Sequence, residues 1–269
     1  MDAIDTFFGQ KAILFGLVLA RVSGLMVTAP IYGTPEVPRQ VRALVAFAVA
    51  MLLLPSQWHV SPPTPPNLPA YGLLVGGELL LGVFIGLGVT VLFTGIQLSG
   101  ELIGRIGGLM VADVFDPGID TSVPLLSRLM FLVALAVFLC LGGHRVVFGA
   151  LLDTFAAVPP GRAGVPDSLT EGFVVLLSRS FALGMRAAAP VAAALLLATL
   201  LMGLIGRTLP QLNILIVGFG FNAMLTFGAL MLTLGAAVWA LQDMLAPGLE
   251  TLLDALAVPL GAAKPPGHP

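Results

Sequence analysis

Charge is the scarcest property of this sequence. Only 10% of its 269 residues are Asp, Glu, Lys or Arg, and the formal net charge is −2. Soluble domains are typically about 25% charged, because ionised side chains cover much of a water-exposed shell. With 58% hydrophobic residues and a mean hydropathy of +1.03, the chain is predicted to be an all-α integral membrane protein with lipid around it. A net charge this small predicts no nucleic-acid partner.

The residues that hold metals or act as nucleophiles are also few. Cys140 is the single cysteine, so no disulfide can form within the chain, and its apolar neighbours predict a buried thiol. The three histidines are far apart in the sequence, and there is no HExxH, CxxC or phosphate-loop motif. We therefore expect no catalytic residues, no metal and no cofactor, and the predicted protein is not an enzyme.

Long apolar runs are what the sequence has in abundance. A span of the bilayer core needs about 20 apolar residues, and runs of roughly this kind predict about six helices. The runs are Ala12–Ala29, Ala43–Pro55, Leu73–Leu98, Val123–Leu141, Phe181–Ile205 and Leu212–Leu241, with the shorter Val146–Val158 left ambiguous. We expect one membrane-embedded domain over residues 1–258, followed by a disordered tail over residues 259–269.

Glycine is abundant, and many glycines stand four residues apart. The pairs are Gly72/Gly76, Gly82/Gly86, Gly100/Gly104 and Gly104/Gly108. Small residues at this spacing let helix backbones approach closely in lipid. The stretch Leu73–Gly108 is therefore predicted to pack tightly, either within this chain or against other subunits.

Five charged residues interrupt the apolar runs. They are Arg21, Glu78, Glu101, Arg128 and Arg186. A charge at the centre of a membrane helix costs at least about 2.5–3.5 kcal/mol, so each needs a partner, water or an interface. Glu101 and Arg128 can also lie at helix ends, where a long side chain reaches the interface. Arg21 has apolar residues on both sides and is predicted to pair with a carboxylate, within this chain or on a partner.

The segment Gly100–Pro124 is the most irregular part of the chain. It mixes glycine and aspartate with apolar residues, and its Asp-Pro-Gly sequence is typical of a turn. Lipid cannot satisfy the backbone of an irregular loop, so such a loop is buried in protein or lines a cavity. One interpretation is a flexible stopper that closes a pore, and the other is a loop packed on its own helices. The predicted closure loop contains Leu109, Met110, Val111, Asp113, Phe115, Asp116, Pro117 and Gly118.

A second irregular segment separates the last two long runs. It reads RTLPQLNILIVG, in which Pro210 can begin a new helix, and its amides can bond across helices or cap free backbone groups. The predicted hinge contains Arg207, Pro210, Gln211, Asn213 and Gly218.

Four segments together resemble the FliR family, which is known in virulence injectisomes as the SctT family. They are ARVSGLMVTAPIYGTPEVPRQVR (Ala20–Arg42), GELIGRIGGLMVADVFDPG (Gly100–Gly118), GGHRVVFGALLDTFAAVPPG (Gly142–Gly161) and RTLPQLNILIVG (Arg207–Gly218). They occur in the order and spacing of the family, so the resemblance covers nearly the whole chain.

The resemblance implies a core subunit of the flagellar type III export gate in the bacterial inner membrane, within the flagellar basal body. It implies kinked helical hairpins in a helical assembly with FliP-type and FliQ-type subunits, engaged by FlhB-type and FlhA-type proteins. It further implies that unfolded flagellar proteins pass through the assembly, and that the hinge serves assembly. The alternatives are an injectisome subunit of the same kind and, from another class, a small-solute secondary transporter.

Overall fold

The computed structural model describes residues 2–34, 37–108, 124–164 and 167–208, together with 218, 220–228, 230–231, 235, 247 and 251. Within these residues the regular structure is helical. The α-helices are α1 (Asp2–Thr28), α2 (Arg39–Leu53), α3 (Leu68–Ile106), α4 (Leu125–Cys140), α5 (Gly143–Ala157) and α6 (Asp167–Thr208). A 3-10 helix, Leu54–Gln57, extends α2, and residues 220–228 are also helical. The all-α prediction is confirmed.

Four stretches of the described residues are long and apolar enough to cross a membrane. They are Gly9–Thr28, Arg39–Gln57, Leu68–Ile106 and Thr170–Thr208, and α4 with α5 adds a fifth if the two are one broken span. The ambiguous run Val146–Val158 is thus mostly helical, as α5. The predicted run Leu212–Leu241 lies largely outside the described residues.

Proline, asparagine and glycine set the helix boundaries. Pro38 and Pro124 immediately precede α2 and α4, where proline removes a donor that a helix start does not use. The Asn67 side chain accepts a hydrogen bond from the backbone N–H of Ala70 at 2.9 Å and so caps α3. Gly142 has φ +72° between α4 and α5, a conformation that side chains with a Cβ rarely adopt.

The described residues divide into two compact units, and the boundary falls inside α3 and α6. The first unit contains the described residues up to Thr90 and those from His144 to Leu176, together with residues 247 and 251. In it, α1 crosses α3 so closely that a Cβ on Gly82 would overlap the backbone carbonyl of Arg21, and one on Gly86 would overlap the Thr28 hydroxyl. The Thr90 hydroxyl then donates to the Thr28 carbonyl at 2.6 Å.

The second unit contains the described residues from Val91 to Gly143 and from Leu177 to Leu245. Here Gly95 and Gly184 face each other, since a Cβ on Gly184 would overlap the Gly95 carbonyl. Gly100 lies against the Leu126 backbone, and the Phe93 and Phe138 rings pack edge to face with centroids 5.4 Å apart. The close helix packing predicted for Leu73–Gly108 is therefore formed, in this part of α3, by helices of the same chain.

Two sequence-based expectations need correction or qualification. Cys140 is exposed rather than buried, because apolar neighbours in a membrane protein can face lipid as well as a core. Of the glycine pairs, Gly72 and Gly76 have open space where a Cβ would lie, so their four-residue spacing does not mark a contact inside the chain.

Candidate functional site

An ion pair lies at the centre of the first unit. Arg21 on α1 donates from Nε to Oε2 of Glu78 on α3 at 2.6 Å, and both side chains have no exposed surface. The sequence predicted a carboxylate partner for Arg21, and the structure identifies that carboxylate as Glu78. Because 57 residues separate the two in sequence, helical periodicity gives no sign of the pairing.

The remaining donors of Arg21 reach the end of α5. Nη1 donates to the Thr154 carbonyl at 3.0 Å, and Nη2 donates to the Val158 carbonyl at 2.9 Å. The guanidinium also lies over the Phe155 ring, 4.2 Å from its centroid, where the ring face attracts a cation. The Thr154 carbonyl also accepts from the Val158 backbone N–H at 2.8 Å, so Arg21 adds a second donor there and supplies one to the Val158 carbonyl just beyond α5.

The second oxygen of Glu78 holds the loop after α5. Oε1 accepts from the Gly161 backbone N–H at 2.7 Å, and Gly161 has φ +85°. A Cβ there would also crowd Pro63 in the proline-rich segment. The cluster of Arg21, Glu78, Thr154, Phe155 and Gly161, here called the buried clamp, thus joins α1, α3, α5 and a loop.

The buried clamp has the features that make buried charge tolerable. A buried pair stabilises a fold only when additional hydrogen bonds satisfy the remaining donors and acceptors, and here both Glu78 oxygens and all three Arg21 nitrogens are bonded. The clamp is therefore suited to fixing the positions of the segments that it joins. Thr154, Phe155 and Gly161 lie in the family segment Gly142–Gly161, but sequence reasoning gave them no role, because their contacts depend on how α1, α3 and α5 pack.

The other three charges singled out from the sequence have different positions. Glu101 pairs with Arg105 one turn later, near the end of α3, and both are partly or well exposed. Arg128 is exposed in the first turn of α4. These two match the helix-end interpretation. Arg186 is exposed in the middle of α6, so the helix-end explanation does not apply to it.

The predicted closure loop, Leu109–Gly118, lies outside the described residues, as do residues 119–123; Gly108 before it and Pro124 after it are described. α3 is followed by Gly108, whose φ is +76°. Pro124 immediately precedes α4. It lines a cavity of about 270 Å³ together with Thr94, Gln97, Leu98, Glu101, Ser127 and Phe181. The Ser127 hydroxyl donates to the Gln97 carbonyl at 3.0 Å in its wall. The cavity brings polar side chains to the end of the helix that precedes the loop.

The predicted hinge is described only in part. Arg207 is exposed in the last turn of α6, and Gly218 is helical, whereas Pro210, Gln211 and Asn213 lie outside the described residues. Beyond the hinge, the Asn222 side chain donates from Nδ2 to the Thr199 hydroxyl on α6 at 3.4 Å. The chain therefore returns alongside α6 after the hinge segment.

Among the described residues, no group of three or more His, Cys, Asp or Glu side chains is arranged to hold a metal ion. What the described side chains offer is packing, buried hydrogen bonds and apolar surface.

Comparison with known proteins decides the family. The profile described as "bacterial export proteins, family 1" matches residues 12–247. The flagellar biosynthetic protein FliR of Escherichia coli (strain K12) is 31% identical over 242 residues, covering 88% of this chain and 87% of the relative. The chain belongs to the FliR family of bacterial export proteins.

FliR proteins of two further bacteria are also similar to this chain over most of its length. FliR of Bacillus subtilis (strain 168) is 28% identical over 251 residues, covering 91% of this chain and 95% of the relative. FliR of Aquifex aeolicus (strain VF5) is 29% identical over 214 residues, covering 80% and 82%. The FliR resemblance predicted from four segments of the sequence is confirmed.

Proposed function

We propose that this chain is a core subunit of the flagellar type III export gate. In this role it forms part of the conduit that passes unfolded flagellar proteins across the inner membrane. The observation that carries the proposal is the match to FliR proteins over nearly the full length of both chains. The flagellar names of these relatives favour this function over an injectisome subunit or a small-solute transporter.

The partners and location follow from the same proposal. The chain assembles with FliP-type and FliQ-type subunits, meets FlhB-type and FlhA-type proteins, and is a multi-pass protein of the inner membrane in the flagellar basal body. Its contribution is structural rather than enzymatic. At least four apolar spans and a fully bonded buried clamp support a subunit that holds shape among other membrane helices.

An in-frame deletion of the gene tests the function. We expect loss of motility and of extracellular flagellar proteins, with both restored by the wild-type gene on a plasmid. Secretion of a signal-peptide-dependent reporter serves as the control and should not change. Normal export of flagellar proteins in the deletion strain would overturn the proposal.

We propose further that Leu109–Gly118 contributes to closure of the conduit. The cavity beside this segment supports the role, because Gln97, Glu101 and Ser127 bring polar groups to its otherwise apolar lining, where water can enter. Deleting the loop should raise ion conductance of membranes that contain the assembled gate while the complex still forms. A Gly-Ser segment of equal length is the matched replacement. Unchanged conductance and export in both variants would contradict the closure role.

The hinge is proposed to serve assembly. The midpoint in sequence between Thr199 and Asn222, which bond to each other, falls at Pro210 and Gln211. If Pro210→Ala and Gln211→Ala together reduce the yield of purified complex and motility, the role is supported. Wild-type yield and swimming in the double variant would exclude it.

A further inference from the structure

The apolar middle of α3 has the length of a bilayer core. The stretch 79–100, between Glu78 and Glu101, contains no charged residue and extends about 33 Å at 1.5 Å per residue. The hydrocarbon core of a bilayer is about 30 Å thick. This stretch of α3 therefore fits the core, and it places Glu101 and Arg105 beyond one boundary, at the level of phospholipid head groups.

The cavity described above, here called the α3 groove, lies at this end of α3. Its floor is one face of the helix, because Thr94, Leu98 and Glu101 recur at intervals of four and three residues, and Arg105 continues that face four residues later. Thr94 and Phe181 are exposed, so the groove is open to the surroundings. Its volume of about 270 Å³ is just below the roughly 300–1,000 Å³ of pockets for drug-sized ligands, which suits a small head group.

The ion pair at the end of the α3 groove leaves two of its atoms unused. Oε1 of Glu101 accepts from both Nε and Nη2 of Arg105, whereas Oε2 of Glu101 and Nη1 of Arg105 form no hydrogen bond with any other described residue. Both side chains reach the surface, with 32% of Glu101 and 55% of Arg105 exposed. A carboxylate oxygen beside a guanidinium nitrogen is complementary to a ligand that carries an ammonium next to a phosphate.

We propose that the α3 groove binds a phospholipid with a phosphoethanolamine head group. The ammonium donates to Oε2 of Glu101, the phosphate accepts from Nη1 of Arg105, and the apolar wall at Leu98 and Phe181 contacts the glycerol and the first acyl carbons. A choline head group has no N–H to donate to Glu101, and a glycerol head group has no cation for it. The proposal goes beyond the export role and does not depend on it.

Lipid titration of the purified full-length chain tests the proposal. Phosphatidylethanolamine, phosphatidylcholine and phosphatidylglycerol with identical acyl chains are added in detergent, and native mass spectrometry measures the affinity for each. We expect phosphatidylethanolamine to bind about ten-fold more tightly than the other two, because a hydrogen bond between charged groups is worth about that factor. Equal affinity for the three lipids would overturn the proposal.

Two variants with a matched control identify the residues that hold the head group. Glu101→Gln keeps the size of the side chain and should lower the affinity for phosphatidylethanolamine about ten-fold, to that of phosphatidylcholine. Arg105→Gln should weaken the binding of all three lipids, because each carries a phosphate. Glu171→Gln, at an exposed glutamate of α6, is the control and should leave all three affinities unchanged.

A third variant tests the α3 groove without touching the ion pair. Thr94→Trp places a large side chain at an exposed lining residue and should lower the affinity for phosphatidylethanolamine by narrowing the groove. Undiminished binding in this variant, a preference for phosphatidylethanolamine that survives Glu101→Gln, or an equal loss with Glu171→Gln would each overturn the assignment.

Discussion

Helices α3 and α6 are almost equally long and almost equally apolar, but they are used in opposite ways. In the apolar 18-residue stretch of α3, 61% of the residues are buried within the chain, whereas in the corresponding stretch of α6 the share is 22%. Glycine recurs along α3 where α1, α4 and α6 approach it, while α6 carries alanine and exposed leucine. In lipid, hydrophobicity does not drive helices together, so small residues and buried polar groups decide which helix becomes the core.

The strongest test of this difference between α3 and α6 is to remove the charge that α3 contributes to the buried clamp. Glu78→Leu leaves Arg21 buried without a carboxylate, and we expect a loss of about 3–5 kcal/mol in the free energy of unfolding. Thermal stability of the purified complex in detergent measures the loss. Arg21→Met combined with Glu78→Leu should recover much of it, because apolar side chains of similar size can replace a buried pair. If the double variant is as unstable as Glu78→Leu alone, the unpaired charge of Arg21 is not the cause of the lost stability.

The next largest effect should come from the glycines of α3. Gly82→Ala forces a Cβ into the Arg21 carbonyl, and overpacking of this kind costs up to about 3 kcal/mol. Gly76→Ala lies on the same helix with open space around the new Cβ and should not destabilise the chain. Both variants can be compared by the temperature at which they lose their monodisperse peak in detergent. Equal melting temperatures for Gly82→Ala and Gly76→Ala would contradict the close packing of α1 on the glycines of α3.

A smaller effect should separate the two sides of α6. Leu195 has no exposed surface, whereas Leu200 is 72% exposed. Leu195→Ala leaves a cavity and should cost about 2 kcal/mol, near the low end for such changes because lipid is as apolar as the core. Leu200→Ala should change stability by less than about 0.5 kcal/mol. The same detergent melting assay serves for both, and a larger loss at Leu200 would show that this exposed side is packed.

The smallest effect is expected at the end of α3. Glu101 and Arg105 lie one helical turn apart, and their side chains are partly or well exposed. Such ion pairs contribute about 0.3–0.5 kcal/mol to the free energy of unfolding. Glu101→Gln should therefore lower the melting temperature only slightly, and high salt should hide the difference. A large loss would mean that Glu101 has a second role at the neighbouring cavity.

The comparison of α3 with α6 also shows which features of the fold could be predicted from the sequence. The need for a carboxylate beside Arg21 was predictable, since lipid does not tolerate an isolated guanidinium, but the choice of Glu78 depends on how α1 crosses α3. The spacing of Gly82 and Gly86 is the same as that of Gly72 and Gly76, and only the position of α1 distinguishes the two pairs. Burial of Cys140 was predicted wrongly, because an apolar run does not tell a lipid-facing side from a core-facing side.

The family, in contrast, could be predicted from the sequence, because four segments in fixed order carry it. The roles of the closure loop and the hinge stay predictions. They depend on how Leu109–Gly118 and Pro210–Asn213 meet neighbouring chains, which the packing of one subunit does not determine.

The buried clamp also constrains the order of events during synthesis. Arg21 leaves the ribosome 57 residues before Glu78 and 133 residues before Thr154, an interval of roughly ten seconds at bacterial rates. Glu78 supplies the first permanent partner, and the Thr154 and Val158 carbonyls follow only when α5 has been made. We therefore expect the first helix to be weakly held in the membrane until Glu78 follows, and a chain truncated before Glu78 should be a substrate for membrane proteases.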